Sequence, residues 1–354
     1  NYKIAHLSDT HCRNLKYHKE YRIVFDKIYK SLREQKPDAI VHCGDLAHTK
    51  VHLSPEYFDL ASDFLKNLAD IAPLIIIPGN HDGNLRNTAR QDAITPLVTA
   101  LEHKHIHLLR DSGEYVWDSN IVFNVLSVFD PENWVKPTRE DKINIALYHG
   151  SISGCETSLG WVMEHGENDV SIFEGHDYAM LGDIHKTNQI LDDHGRVRYV
   201  GSTIQQGHAE ELDKGYLLWT INSKDDWDVE LFTFRNPKPF ITIELTQKGR
   251  IPRNTKIPFG ARVRVVANNK LPVETIRKAT DVVRTRFKPE SLTFLNRAGV
   301  SLSSSHTGDI TEQNLRDVQV QQEFISDYLK DYEPSEELLK EVFSMNERFN
   351  KEAE

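Results

Sequence analysis

The stretch that decides the fold is Leu74-Ile-Ile-Ile-Pro-Gly-Asn-His-Asp82, in which an apolar run leads through one proline into four turn-compatible residues. A short apolar run bounded by turn residues is typical of a buried strand. Four other apolar runs end in polar clusters, which are Asp9-Thr-His11, Gly44-Asp45, His149-Gly150 and Gly182-Asp-Ile-His185. The carboxyl ends of parallel strands share one edge of an open α/β sheet, so we expect the five clusters to converge on one ligand site.

The first 220 residues alternate β-rich runs with amphipathic stretches, a pattern that predicts a layered α/β domain. Apolar residues recur at helical spacing from Tyr21 to Leu32 and from Tyr57 to Leu68. The predicted buried strands are Tyr2–Ser8, Ala39–Cys43, Leu74–Pro78, Ile121–Val125, Ile143–Leu147 and Tyr178–Leu181. Later strand-like runs between residues 189 and 234 have no helix between them, so they predict a second sheet edge or a meander.

A turn-rich segment, Asn236-Pro-Lys-Pro-Phe240, predicts a domain boundary. It separates an α/β domain over residues 1–235 from a small β-β-α-β module over residues 236–300. A linker over residues 301–310 then leads to two amphipathic helices within residues 311–354. The second helix is expected to begin with Ser335 as its N-cap and to carry an apolar stripe of Leu338, Leu339, Val342, Phe343 and Phe349.

Composition excludes several classes of protein. The chain has 354 residues, of which 39% are hydrophobic and 27% charged, so it is long and apolar enough for a sizeable core and is not a disordered chain. It contains neither an apolar run of about 18 residues nor a signal-peptide core, and we expect a soluble cytoplasmic protein without a membrane partner. Three cysteines without CxxC spacing support neither a disulfide framework nor a thiolate zinc site.

The net charge of −10 hides an uneven distribution. Residues 1–234 carry 23 basic and 36 acidic side chains, residues 235–300 carry 15 and 4, and residues 301–354 carry 5 and 13. The middle segment therefore has a surplus of +11 between two acidic segments. Such a block is either a polyanion-binding surface or a solvated face that the neighbouring domain neutralises, and charge alone leaves both open.

The five strand-end clusters offer oxygen and imidazole donors and no sulfur. This donor set suits a pair of hard or borderline divalent metals such as manganese, magnesium, iron or zinc. Each cluster alone also has a plainer interpretation, since Asp-x-His can be a capping aspartate beside a surface histidine and Gly-Asp is a common turn. The same order of clusters at five strand ends favours a shared site.

This order of motifs resembles the calcineurin-like metallophosphoesterase superfamily over the first 220 residues. Gly79-Asn-His-Asp82 and Asp45-Leu-Ala-His48 are similar to the nuclease subunit of the SbcCD-type DNA repair complex, and the basic module and terminal helices extend that likeness. The resemblance implies an αβ-sandwich phosphoesterase domain, a DNA-binding cap, helices that dock on the coiled coil of an ATPase partner, and a homodimer. Protein phosphatases of the superfamily carry Asp-Arg-Gly after the second motif, where this chain has His48-Thr-Lys50, which argues against a phosphoprotein substrate.

The resemblance also implies roles for individual residues. The first metal would be held by Asp9, His11, Asp45 and His185, and the second by Asp45, Asn80, His149 and Asp183, with Asp45 as the bridge. Residue 183 departs from the pattern, because the nuclease subunit usually has histidine there. His81 matches the histidine that assists the leaving group and His48 matches a second catalytic histidine, and neither is expected to bind metal.

Together with the resemblance, these observations predict a two-metal phosphodiesterase with manganese as the expected metal. The resemblance implies that it acts on DNA as an exonuclease and single-strand endonuclease in repair and recombination, in the nucleoid or, in a eukaryote, the nucleus. No phosphate-binding Gly-x-x-x-x-Gly-Lys loop is present, so any ATP dependence would come from the partner. The alternatives are a small-molecule or cyclic-nucleotide phosphodiesterase and a DNA-binding scaffold subunit with a degraded metal site. Candidate phosphate contacts in the cap are Arg253, Lys256, Arg262, Arg264, Lys278, Arg284, Arg286 and Lys288.

Overall fold

The computed structural model describes residues 1–297, 325, 329 and 335–352. It has the mixed α/β architecture expected from the sequence, with a layered αβ sandwich followed by a smaller α+β unit, and this prediction of the fold class is confirmed. The chain divides into two compact units, Asn1–Phe240 and Ile241–Glu354. None of the helices in the described part of the chain is long and apolar enough to cross a membrane.

The first sheet of the larger unit has six strands: β1 (Tyr2–Leu7), β2 (Ala39–His42), β3 (Leu74–Ile76), β4 (Ile106–Leu108), β11 (Lys214–Ile221) and β12 (Trp227–Phe234). Their order is β12-β11-β1-β2-β3-β4. The pairs β1–β2, β2–β3 and β3–β4 are parallel, whereas β11 is antiparallel to both β1 and β12. The carboxyl ends of β1, β2 and β3 therefore lie at one edge.

The second sheet also has six strands: β5 (Gly113–Val116), β6 (Ile121–Leu126), β7 (Ile143–His149), β8 (Tyr178–Gly182), β9 (Gln189–Ile190) and β10 (Val197–Tyr199). Their order is β5-β6-β7-β8-β10-β9, and β6, β7, β8 and β10 are parallel neighbours. In this register His149, the last residue of β7, lies opposite Gly182, the last residue of β8.

Three helices belong to the larger unit: α1 (His18–Gln35), α2 (Pro55–Ile71) and α3 (Thr95–Leu101). Helix α2 begins at Ser54, whose hydroxyl accepts a hydrogen bond from the backbone N–H of Tyr57, and Pro55 occupies the first turn, where its missing N–H costs nothing. The apolar stripes of α1 and α2 pack on one face of the first sheet. Phe25 and Phe64 stack in that layer with ring centroids 4.1 Å apart.

A second hydrophobic core lies between the two sheets and makes the domain a sandwich. Strand β1 shows how the layers divide, because Ile4 contributes to this inner core whereas Ala5 and Leu7 contribute to the core under the helices. The sequence predicted that the five clusters lie at the edge of one open sheet, and the structure corrects this: they come from two facing sheets. The strand-like runs between residues 189 and 234 do not form one meander. Strands β9 and β10 belong to the second sheet, and strands β11 and β12 belong to the first.

The smaller unit contains β13 (Phe240–Glu244), β14 (Arg262–Ala267), α4 (Val273–Phe287) and β15 (Ser291–Asn296), in the predicted β-β-α-β order. The sheet order is β13-β14-β15, and its core includes Ile243, Val263, Val265, Ala279 and Val283. A further helix, α5 (Glu336–Glu352), begins after Ser335, whose hydroxyl accepts from the N–H of Leu338. The predicted linker and the preceding tail helix, apart from Ile325 and Leu329, lie outside the described residues, and so does the side chain of Phe349.

Candidate metal centre

The strand-end loops hold unusual backbone conformations where metal ligands were predicted. Asp9, His11, Asp45 and Asp183 have φ angles of 52°, 48°, 57° and 102°. Such conformations cost non-glycine residues on the order of 1 to 3 kcal/mol each and cluster at functional sites. Gly44 allows the loops to approach closely, because a Cβ there would lie 2.7 Å from the backbone nitrogen of Gly79. The strained backbone therefore aims these side chains inward.

The first group of donor atoms comes from the loops after β1 and β8. Asp9, His11 and His185 each offer one atom within 4.8 Å of the others. The Nε2 atoms of His11 and His185 are 3.0 Å apart, and each lies 3.6 Å from Oδ1 of Asp9. Asp9 is fully buried and His11 is 3% exposed, whereas the side chain of His185 is 26% exposed, so solvent reaches the group at His185.

The second mutually close group adjoins the first and consists of Asp9, Asp45 and His149. The predicted ligands Asn80 and Asp183 are not members of that group, and both lie beside its histidine. The Nε2 of His149 lies 3.3 Å from Oδ2 of Asp45, 2.9 Å from Oδ1 of Asn80 and 3.6 Å from Oδ1 of Asp183. The same Oδ2 of Asp45 lies 3.6 Å from Nε2 of His11. Asp45 thus stands between the two groups, where one carboxylate oxygen can serve two cations.

The donor atoms fit a pair of divalent cations. Oδ1 of Asp9 is buried and accepts no hydrogen bond from the described residues, although a buried carboxylate oxygen normally has a partner. The Nδ1 of His149 donates to the carbonyl oxygen of Cys43 at 2.7 Å, which leaves the Nε2 lone pair directed at the cluster. Imidazole nitrogens and carboxylate oxygens that converge in this way suit manganese, iron or zinc, and magnesium through the oxygens.

Glu210 supports the first group and was missed by the sequence analysis. Its Oε2 accepts the Nδ1–H of His185 at 2.9 Å, and its Oε1 accepts from the Ser202 hydroxyl at 2.5 Å. The ammonium group of Lys214, which is completely buried, lies 3.4 Å from Oε1. Burial raises the pKa of Glu210, but Lys214 and then His185 outweigh it and lower the pKa to about 2. Glu210 is therefore an ionised acceptor that orients a predicted metal ligand.

The supporting role of Asp82 was also not predicted, although this residue belongs to the motif Gly79-Asn-His-Asp82. It is completely buried, and its carboxylate accepts the backbone N–H groups of Asp45, Ala47 and Gly79 at 2.7, 2.8 and 2.8 Å. Burial, together with the charge of Asp45, raises the pKa of Asp82 to about 7. Asp82 thus ties the loop after β2 to the loop after β3 and holds Asp45 in place.

His81 and His48 lie beside the donor groups and belong to neither. The backbone N–H of His81 donates to Oδ1 of Asp45 at 2.9 Å, and its Nδ1 donates to the carbonyl oxygen of His48 at 3.0 Å. The His11 and His81 rings meet edge to face with centroids 5.0 Å apart. The Nε2 of His48 lies 2.7 Å from a guanidinium nitrogen of Arg13, which the sequence analysis did not single out. The catalytic roles assigned to the two histidines stay predictions.

The candidate DNA contacts differ in accessibility within the smaller unit. Six are exposed, namely Arg253, Lys256, Lys278, Arg284, Arg286 and Lys288, and Arg264 is half-buried. Arg262 is only 8% exposed, and its guanidinium lies 3.6 Å from the carboxylate of Glu290. The expectation that Arg262 is a surface contact equal to Arg264 is therefore not supported, because strand β14 buries its first side chain.

Comparison with known proteins places this geometry in a family. The family model described as calcineurin-like phosphoesterase matches residues 2–237. The uncharacterized protein R555 of Acanthamoeba polyphaga mimivirus is 38% identical over 281 residues, an alignment that covers 75% of this chain and 20% of the viral protein. The chain therefore spans about a fifth of the length of that curated relative.

Among solved structures, the chain is similar to GAP50, the anchor in the inner membrane complex of Plasmodium, with a TM-score of 0.41 and 12% sequence identity. That alignment covers 66% of this chain and 88% of the other. The family match extends over the whole sandwich domain and includes every residue of both donor groups. The chain belongs to the calcineurin-like phosphoesterase family, whose members are metal-dependent phosphoesterases.

Proposed function

We propose that this phosphoesterase is a two-metal DNA nuclease with exonuclease and single-strand endonuclease activity. The observation that carries the proposal is the presence, in one chain, of two donor groups for metals and of a strongly basic segment, residues 235–300. The donor set supports hydrolysis of a phosphoester, and residues 235–300, with 15 basic and 4 acidic side chains, support a polyanionic substrate.

The side chains around the cluster suit phosphodiester hydrolysis. Two bound divalent cations would supply an activated water and neutralise charge that develops on the phosphate. The proton on Nδ1 of His81 is committed to the carbonyl of His48, so Nε2 is the atom that can pass a proton to the departing oxygen. The hydrogen bond from the His81 N–H to Asp45 ties this imidazole to the shared carboxylate.

The wide spread of exposed basic side chains favours a nucleic-acid backbone over a small substrate. The exposed side chains Lys278, Arg284 and Arg286 lie on α4, and Arg253 and Lys256 lie on the segment before β14. Charges spread along 66 residues suit repeated phosphates, which position DNA without reading its sequence. A cyclic nucleotide presents one phosphate and would not need them. Access to DNA would place the protein in the nucleoid or, in a eukaryote, in the nucleus.

An ATPase partner and a homodimer are further parts of the proposal. Among the described side chains of α5, Leu338 and Met345 are 47% and 42% exposed, and their spacing of seven places them on one helical face. An exposed apolar stripe on a charged helix suits helix-in-groove binding to a coiled coil. Replacing both residues with aspartate should abolish co-purification with an SbcC-type ATPase subunit, while the matched pair Lys340→Asp and Ser344→Asp should not.

The deciding experiment measures cleavage of labelled duplex DNA, single-stranded DNA, cyclic AMP and bis(p-nitrophenyl) phosphate with manganese, magnesium, iron or zinc. We expect DNA cleavage to exceed cyclic-nucleotide hydrolysis, and Asp45→Asn to abolish both. Preference for the cyclic nucleotide would identify a small-molecule phosphodiesterase. Metal binding without hydrolysis of any substrate would identify the DNA-binding scaffold. The aspartate at residue 183, where the nuclease subunit usually has histidine, suggests that alternative. The position of the Asp183 carboxylate, 3.6 Å from Nε2 of His149, does not favour it.

A further inference from the structure

Arg13 is a buried arginine at the edge of the metal centre to which no role has been assigned. It follows the predicted ligand His11 by two residues and is 3% exposed. One guanidinium nitrogen lies 2.7 Å from Nε2 of His48, and another donates to Oε1 of Gln206 at 2.7 Å. Gln206 is itself held, because its amide nitrogen donates to the hydroxyl of Tyr21 at 3.1 Å. The guanidinium is therefore fixed in one orientation.

The guanidinium of Arg13 determines which ring nitrogen of His48 carries a proton. Arginine has five N–H donors, has no acceptor and keeps its proton in proteins. The Nε2 of His48 must consequently accept, so this imidazole is neutral and carries its proton on Nδ1. A histidine held in this way cannot donate a proton from Nε2.

The backbone carbonyl of His48 also holds the ring of His81. The N–H of His48 donates to the carbonyl oxygen of Cys12 at 3.2 Å, and its own carbonyl accepts the Nδ1–H of His81 at 3.0 Å. The rings of His48 and His81 are nearly parallel, at 18°, with centroids 6.2 Å apart. Arg13 and Gln206 thus hold the side chain of His48, and the backbone carbonyl of the same residue holds His81.

We propose that Arg13 is a positioning residue that acts through His48: it keeps His48 as a hydrogen-bond acceptor and thereby holds His81 in the orientation needed for proton transfer. This assignment rests on the proposed hydrolysis for its catalytic consequence. It makes His81 the acid of the pair and gives His48 a supporting role, in contrast to the prediction that His48 is a second catalytic histidine.

The tautomer of His48 tests the proposal without any assay of activity. In full-length protein labelled with 15N-histidine, a long-range proton–nitrogen correlation spectrum reports which ring nitrogen carries the proton, and His48→Gln assigns the signals. We expect Nε2 of His48 to be unprotonated in the wild type and to shift in Arg13→Met. The control Arg22→Met removes an arginine on the exposed side of α1, where it pairs with Asp59 and Asp63, and should leave the spectrum unchanged.

Kinetics test the route through His48. With methyl thymidine 5′-phosphate, a small diester whose departing alkoxide needs a proton, and manganese, Arg13→Met should lower kcat by roughly tenfold or more, because a small misplacement of a catalytic group is costly, while KM and bound metal stay unchanged. Arg13→Lys should recover part of kcat, since lysine can still donate to His48. In the His48→Leu background, Arg13→Met should have no further effect, as two residues that act as one unit are not additive.

Several results would overturn the proposal. These are a proton on Nε2 of wild-type His48, additive losses in the double variant, or a loss of bound metal that accounts for the loss of kcat. If Arg13→Met does not fold, the tautomer of His48 in the wild type and the kcat of Arg13→Lys still test the proposal. Failure of the wild type to cleave DNA, with hydrolysis of the small ester and the tautomer both as expected, would reject the DNA nuclease and leave the role of Arg13 standing.

Discussion

His185 donates its Nδ1 proton to Glu210 over 2.9 Å, so a histidine at a strand end is oriented by a carboxylate 25 residues further along the chain. The carboxylate is itself held by Ser202 and by the buried Lys214. This arrangement fixes the tautomer of His185 and directs its Nε2 at Asp9.

Glu210→Gln should weaken metal binding at the first group by about 10- to 100-fold, because a neutral amide polarises His185 less and leaves Lys214 with reduced compensation. Titration calorimetry with manganese on the wild type and the variant measures the change. The control Glu230→Gln alters an exposed carboxylate on β12 and should not change the affinity. Equal affinity in Glu210→Gln would show that His185 needs no carboxylate to bind metal.

His81→Asn should reduce cleavage by roughly 10² to 10⁴-fold while both metals stay bound, because the imidazole belongs to neither donor group and its backbone bond to Asp45 survives the change. Turnover and elemental analysis of the same sample give the two quantities. His103→Asn, which removes an imidazole paired with Asp70 on the surface, is the control and should leave both unchanged. Loss of metal from the His81 variant would mean that this histidine is a ligand.

Asp45→Asn should lose both metals together with activity, because its carboxylate oxygen lies beside both donor groups and a neutral amide compensates two cations poorly. Elemental analysis after gel filtration is the measurement. Asp26→Asn, at an exposed position of α1, should retain full occupancy. A variant at residue 45 that keeps two metals would contradict the bridging role.

Variants of Asp183 should weaken the second metal before the first. We expect affinity for the second metal to fall in the order wild type, Asp183→Asn, Asp183→Ala, because asparagine keeps an oxygen and tolerates the φ of 102° whereas alanine offers no donor. Asp183→His should keep activity if the imidazole reaches the same place. Stepwise metal titration distinguishes the two sites, and equal loss at both in the alanine variant would count against the assignment.

DNA affinity should fall steeply with salt concentration and should require the exposed arginines of the smaller unit. For duplex DNA, log affinity falls with log salt at a slope of about −0.9 per neutralised phosphate, so Arg284→Gln together with Arg286→Gln should flatten the slope by about 1.8. Arg22→Gln, on α1, should leave it unchanged. We expect Arg262→Gln to lower the thermal midpoint more than the slope, because that side chain is buried beside Glu290. An unchanged slope in the Arg284 and Arg286 variant would place DNA elsewhere.

The sequence by itself determined the elements with strong local signals. The apolar stripes of α1 and α2, the strand before Gly79-Asn-His-Asp82 and the bounds of α4 all follow from patterns within about 20 residues. The short elements α3, β4 and β5 escaped the analysis, because three to seven residues carry too little periodicity to distinguish them from loops. The family could be identified for the same reason, since its ligands sit in short motifs at strand ends.

Only the tertiary structure decided how those motifs are supported. Glu210 meets His185 across 25 residues, Arg13 meets His48 across 35 and Gln206 across 193, and the N–H of Asp45 is held by Asp82 across 37. No periodicity relates such partners, because their proximity arises from loops that two facing sheets bring to one edge. Burial is equally a property of the fold: alternation put Arg262 and Arg264 on one strand face, and packing against the segment that carries Glu290 made one of them inaccessible.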